Sequence, residues 1–157
     1  MGRTVDTISL SGSWHNGVHS FRTRIYYDAT DAGGLVYHAE YLGIAEHART
    51  ESLRLLGFNQ SALHQDQGIM LTVRSCSIEY RCPAVLDDLI EVETTYEKIR
   101  GARVFLSQKI FKLDEKSNCK SLLVDLQTNI ACVNRHGRPT RFPEWVRESI
   151  IKNVNIN

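Results

Sequence analysis

The chain has 157 residues, with nineteen Lys and Arg against eighteen Asp and Glu for a net charge of +1. That balance excludes the cationic coat that drives nucleic-acid binding and the acidic excess of a solvating tail. Apolar residues at 42% and charged residues at 24% are those of a globular chain, and the length suits one core.

The first eighteen residues are polar, lack periodicity and read as a loose head over 1–18, ahead of a single domain over 19–152. They hold no apolar run of secretory length, and Asp6 stands where a myristoylation signal needs Ser or Thr. From His19 the chain alternates, with Phe21, Thr23, Ile25 and Tyr27 on one face, which predicts a strand. A turn over Asp28 to Gly34 follows. The spacing then predicts a helix from His38 to Leu56, burying Tyr41, Ala45, Ala48, Ser52 and Leu55, with Gly57 as its C-terminal cap. Its small central residues let a neighbouring layer approach closely. Arg49 lies near that packing face and is expected to pair with a carboxylate or to line a subunit contact.

A polar loop over Asn59 to Gly68 leads into four strand-like segments: Ile69–Arg81, Leu89–Ile99, Arg103–Leu113 and Leu122–Val133. Their alternation implies an antiparallel sheet with one covered face. Phe142–Ile151 reads as a short terminal helix. The fold class is α+β: one five-turn helix across five antiparallel strands. A single sheet cannot cover both sides of that helix, so sheet pairing between subunits is expected.

The chemistry gathers between the first strand and the helix. Asp31 precedes His38 by seven residues, and Gly33 and Gly34 between them allow close approach to a ligand. N–H groups at a helix start favour negative charge developing on a carbonyl oxygen, and a nearby carboxylate supplies a nucleophile or general base. Those parts suit acyl transfer from an activated ester. An Asp in a Gly-rich turn is more often a cap or turn former, and a His at a helix start more often a surface residue.

Other patterns are weaker. His15 and His19 have helical metal-ligand spacing with no carboxylate beside them, and no metal or cofactor is expected. Glu46 reads as a solvated or salt-bridged side chain. No G-x-S-x-G, G-x-G-x-x-G or P-loop is present, which removes serine-hydrolase and nucleotide cradles. Cys76, Cys82, Cys119 and Cys132 form no C-x-x-C, consistent with reduced thiols in a cytoplasmic protein without an integral membrane segment. Lys98, Arg100 and Arg103 cluster at a turn, and Arg135, Arg138 and Arg141 further on; both groups read as solvated unless a ligand carries phosphates.

Tyr26-Tyr27, Thr30 to Gly34, Val36-Tyr37-His38, Tyr41-Leu42 and Glu46-x-Ala48-Arg49 closely resemble the YbgC-type branch of the hotdog-fold acyl-CoA thioesterases, within the 4-hydroxybenzoyl-CoA thioesterase group. Pro83-x-x-x-Asp87-Asp88 and Arg141-Phe142-Pro143 also resemble family segments, and the similarity covers about 19–145. The resemblance implies a hotdog fold, a long central helix wrapped by a curled antiparallel sheet, in a homodimer with continuous sheets or a homotetramer. It implies that Asp31 acts as nucleophile or general base and that an amide near His38 polarises the thioester carbonyl. His38 matches the His of the YbgC branch. Gly33, Gly34, Val36 and Tyr37 are implied to bind substrate, with Lys98, Arg100 and Arg103 as candidates for the phosphates of coenzyme A. The substrate would be an acyl-CoA or an acyl carrier protein thioester. Asp28-Ala29 departs from the acidic pair expected there. The competing readings are a hotdog hydroxyacyl dehydratase and a non-catalytic acyl-thioester-binding or scaffold protein.

Overall fold

The computed structural model describes residues 10–154. Its first strand follows from a dipeptide. Asn16 and Gly17 take φ values of 49° and 77°, the left-handed pair that a two-residue hairpin turn demands. They join β1 (Ser13–His15) to β2 (Val18–Arg24), with His15 opposite Val18. The sheet therefore has six strands where alternation indicated five, and residues 13–18 leave the loose head expected over 1–18. Three residues are too few to show a period, so the turn alone announces the strand. Residues 1–9 of that head lie outside the described residues.

β2 ends at Arg24. Ile25 is buried, but Tyr27 swings out into a 3-10 turn, Tyr27–Ala29, rather than continuing the inward face. The long helix α1 spans Glu40–Leu55, and its buried residues are Tyr41, Ala45, Ala48, Ser52 and Leu53. Leu53 takes the place expected for Leu55. The predicted cap forms: Gly57 N–H donates to Arg54 O at 3.0 Å and Phe58 N–H to Leu53 O at 2.9 Å, the two bonds that close a helix C-terminus. The expected loop after it is partly helical. Asn59 Oδ1 accepts from the N–H groups of Ser61 and Ala62, starting two short turns, Gln60–Ala62 and Leu63–Gln67.

β3 (Ile69–Tyr80), β4 (Leu89–Arg100), β5 (Arg103–Asp114) and β6 (Cys119–Asn134) complete an antiparallel sheet of order β1-β2-β4-β5-β6-β3. A bulge between Val73 and Ser75 shifts the register of β3. It turns Leu71 and Val73 on one side of the bulge, and Ile78 and Tyr80 on the other, toward α1. α2 (Glu144–Val154) buries Val146, Ile150 and Val154.

The core has two apolar halves. One holds Ile25, Val36, Tyr41, Ala45, Ala48, Ile90, Val92 and Ile110; the other holds Leu53, Phe58, Val104, Leu106, Ile130 and the inner face of α2. A buried polar belt separates them. Gln108, fully buried, donates from Nε2 to Ala45 O and Thr94 Oγ1, both at 2.9 Å, and accepts from Arg49 Nη1 at 2.8 Å. Ser52 Oγ meets Tyr96 OH at 2.8 Å. The carboxylate partner expected for Arg49 thus gives way to a neutral amide. A buried carboxylate there would add the cost of desolvating a second charge. Among the described residues no helix is long and apolar enough to cross a membrane.

Candidate active site

The segment between β2 and α1 is pinned to the loop before β4. Ile25 N–H donates to Asp88 O and Val36 N–H to Ala84 O, both at 2.9 Å, while Leu35 pairs with Val85. Within the segment Thr30 pairs with Val36, and Asp31 N–H donates to Leu35 O at 2.7 Å. The tip needs Gly34, whose φ is 79°.

Asp31 Oδ1 accepts from Gly33 N–H at 2.8 Å and from Leu35 N–H at 3.2 Å. The turn-forming role common for Asp is therefore present, and one oxygen performs it. Oδ2 has no partner among the described residues. The carboxylate is held by one oxygen and presents the other.

α1 begins without a side-chain cap, because its N-cap is Ala39. Glu40 N–H turns back to Tyr37 O, but the N–H groups of His38 and Ala39 have no partner among the described residues. Two donors stand free at the positive end of a sixteen-residue helix. Tyr80, from the far end of β3, donates its hydroxyl to His38 O at 2.8 Å. Its ring stands edge-on to Tyr41 at 5.8 Å. Tyr41 is buried and its hydroxyl oxygen accepts from Ala84 N–H at 2.9 Å; burial pushes its phenol above the usual tyrosine value. Asp31, Val36, Tyr37, His38, Tyr41 and Tyr80 line one cavity of about 400 Å³.

Residues 26–150 match the family model described as the thioesterase-like superfamily. The acyl-CoA thioesterase YbgC of Haemophilus influenzae is 39% identical over 130 residues, spanning 82% of this chain and 90% of that protein. This chain belongs to the thioesterase-like superfamily, on its YbgC branch. Membership of that branch makes it an enzyme of the thioester-hydrolase class. Among solved structures, a probable thioesterase from Bartonella henselae is similar at a TM-score of 0.73 and 36% identity, covering 80% of this chain and 99% of that one. A 4-hydroxybenzoyl-CoA thioesterase superposes at a TM-score of 0.79 with 17% identity, covering 85% and 98%, and shares the fold alone. The fold is the hotdog fold, with six strands rather than five.

For a YbgC-branch chain the sequence candidates separate into two places. Asp31, Val36, Tyr37 and His38 meet at the cavity; Gly33 and Gly34 shape the loop without lining it. Lys98, Arg100 and Arg103 do not join them within one chain. They are exposed at the β4–β5 turn, whereas the cavity lies at the Leu89 end of β4, about 30 Å away by strand rise. His15 and His19 diverge as well. His19 is fully buried, with Nε2 2.7 Å from Ser11 O, and among the described residues no three His, Cys, Asp or Glu side chains converge as metal ligands would. Tyr80 was not legible as a site residue, since it is 42 positions from His38 and reads only as the end of a strand before Pro83.

Proposed function

We propose that this chain hydrolyses an acyl-CoA thioester to a free acid and coenzyme A in the cavity lined by Asp31 and His38. One observation carries the reading: a carboxylate with a free oxygen shares a cavity with a helix start whose N–H groups are uncapped. A thioester carbonyl oxygen seated against the N–H groups of His38 and Ala39 gains donors as its negative charge develops. Asp31 Oδ2 then attacks the carbonyl carbon or takes a proton from a water that does. The C–S bond breaks and coenzyme A leaves as thiolate. In the direct route, water hydrolyses the resulting anhydride, so either route consumes one water per acid released. His38 positions the reacting group or water. Gly33, Gly34, Val36 and Tyr37 shape the acyl end. The thioester is already activated, so the reaction needs no metal or cofactor.

The name of the Haemophilus influenzae relative, an acyl-CoA thioesterase, supports coenzyme A as the carrier. A homodimer or homotetramer is part of the proposal. β3 is a twelve-residue edge strand, largely exposed, with Arg74 as its only charge before Glu79; such edges are normally covered. A second copy pairing there continues the sheet. Lys98, Arg100 and Arg103 are then proposed as phosphate contacts for coenzyme A bound between copies. The working unit is the domain over 19–152 together with β1, in the cytoplasm.

Thiol release from a panel of acyl-CoAs and acyl carrier protein thioesters tests the reading. Turnover with coenzyme A esters is the expected result. Hydration of an enoyl thioester without thiol release would replace it with the dehydratase reading, and tight binding without turnover with the scaffold reading.

A further inference from the structure

A second cavity lies at the other half of the molecule. It occupies about 80 Å³ between the C-terminal half of α1 and the sheet, lined by Leu53, Tyr96, Val104, Leu106 and Ile130, with Val73 at the exposed edge strand. Its lining on α1 begins at Glu46, one and a half turns past Tyr41 of the Asp31 cavity, so the two cavities are about 8 Å apart along the helix at their nearest residues. Its polar residues are Glu46, Arg49, Thr50 and Gln60. Three of them are tied to one another: Thr50 Oγ donates to Glu46 Oε1 at 2.5 Å and Gln60 Nε2 donates to Thr50 Oγ at 2.7 Å. Arg49 is the exception.

Arg49 meets the neutral Gln108 through Nη1, and no carboxylate lies within ion-pair distance of it among the described residues. Burial lowers its guanidinium from the ordinary arginine value, with only the more distant charge of Glu46 chief among the effects opposing that shift. A half-buried cation with spare donors, beside an apolar hole, matches an anion that carries an aliphatic chain. We propose that this cavity is a second binding site, for a short-chain carboxylic acid whose carboxylate meets Arg49 and whose chain enters the apolar lining. The choice of a carboxylate rests on the proposed reaction, which releases one. The size follows from volume: benzene fills an apolar cavity of about 150 Å³, so half that space takes about three or four methylenes. Butyrate to hexanoate is the fitting range.

Methyl NMR of the full chain titrated with butyrate, hexanoate and octanoate reads the site directly, without turnover. Saturable shifts are expected at Leu53, Val104 and Leu106, tightening about fourfold per methylene up to hexanoate and gaining nothing at octanoate. Arg49→Met should weaken hexanoate at least tenfold. Should that variant fail to fold, Gln60→Trp plugs the cavity mouth from an exposed position away from β3 and should abolish the shifts with the melting temperature kept. Absence of saturable shifts, or shifts confined to Leu35 and Val36 at the other cavity, would overturn the proposal. The Gln60→Trp variant also separates two sources of the same chain. Unchanged kcat and KM across acyl-CoAs, with acid binding lost, supports the free acid. A changed acyl-length preference without any acid binding in the wild type would assign the cavity to the acyl end of the thioester and overturn it. A wild type that binds acid but releases no thiol would leave this site standing and remove the thioesterase reading alone.

Discussion

At the scale of single residues, Asp31 uses one carboxylate oxygen to form its turn and leaves the other free for the proposed chemistry, and sequence alone identifies only that both tasks are open to it. Oδ1 ties the loop through Gly33 and Leu35 while Oδ2 stays free. The residues that fix its surroundings come from elsewhere. Tyr80 holds the His38 carbonyl, and with it the direction of the free Ala39 N–H in the same peptide. Tyr80→Phe keeps the ring and removes that bond, so kcat should fall about three- to tenfold with KM nearly unchanged; steady-state kinetics check this, and an unchanged kcat would remove the positioning role. His19 makes a separate point about pH. Burial lowers its value from that of a free imidazole, against the opposing effects of the Ser11 carbonyl and Glu51, so the folded chain holds it neutral where the unfolded chain would protonate. Stability therefore falls as pH drops below about 6.5, where the unfolded chain begins to bind the proton, and the loss ends once the folded imidazole also protonates. Melting curves between pH 8 and 5 should show a steeper decline for the wild type than for His19→Gln, and equal slopes would contradict this.

At the scale of elements, what the sequence disclosed depended on length. α1 and β3 to β6 have at least twelve residues each, enough for a period to show, and their segments were legible within a few residues. β1 has three residues and was hidden behind a polar composition. Tyr27 continued an alternating pattern but left the strand, because the chain must turn at Asp28 to bring Asp31 under Val36. The candidate site was half legible for the same reason: Asp31 and His38 are close in sequence, whereas Tyr80 reaches them only through sheet pairing. The small residues in α1 had a structural meaning that held. Ala45 and Ala48 are completely buried against the sheet, and Gln108 bonds to Ala45 O. Ala45→Leu overpacks that contact and should cost about 1–3 kcal/mol, lowering the melting temperature about 2–4 °C per kcal/mol. A neutral result by calorimetry would mean the helix has room to move off the sheet.

At the scale of the whole molecule, the two apolar halves divide the work. The half nearest β2 carries the loop and helix start of the proposed reaction; the half nearest α2 carries the second cavity, and the Gln108 belt lies between them. Sequence could not separate these halves, because both draw on the same strands at different heights. The charge of the turn at Lys98 to Arg103 reads as solvated, and only the family resemblance implies phosphate contacts there; the length of β4 holds it at the far end from the cavity. The proposed function therefore needs a second copy to bring such a turn to the cavity. Sedimentation equilibrium should therefore give a multiple of the 17.9 kDa chain mass, and the double variant Ser75→Lys with Ser77→Lys should reduce it by placing like charges on the bare edge. A monomeric wild type with full activity would contradict the shared-sheet account.

The central claim is that Asp31 performs the chemistry as well as the turn. The most direct measurement is thiol release by wild type and Asp31→Asn side by side, on an acyl-CoA the wild type turns over. Asparagine keeps an oxygen for the Gly33 and Leu35 N–H groups, so the loop and melting temperature should persist while turnover falls by at least a hundredfold, about 2.7 kcal/mol or more. Near-full turnover in Asp31→Asn would leave Asp31 as a turn former and contradict the account.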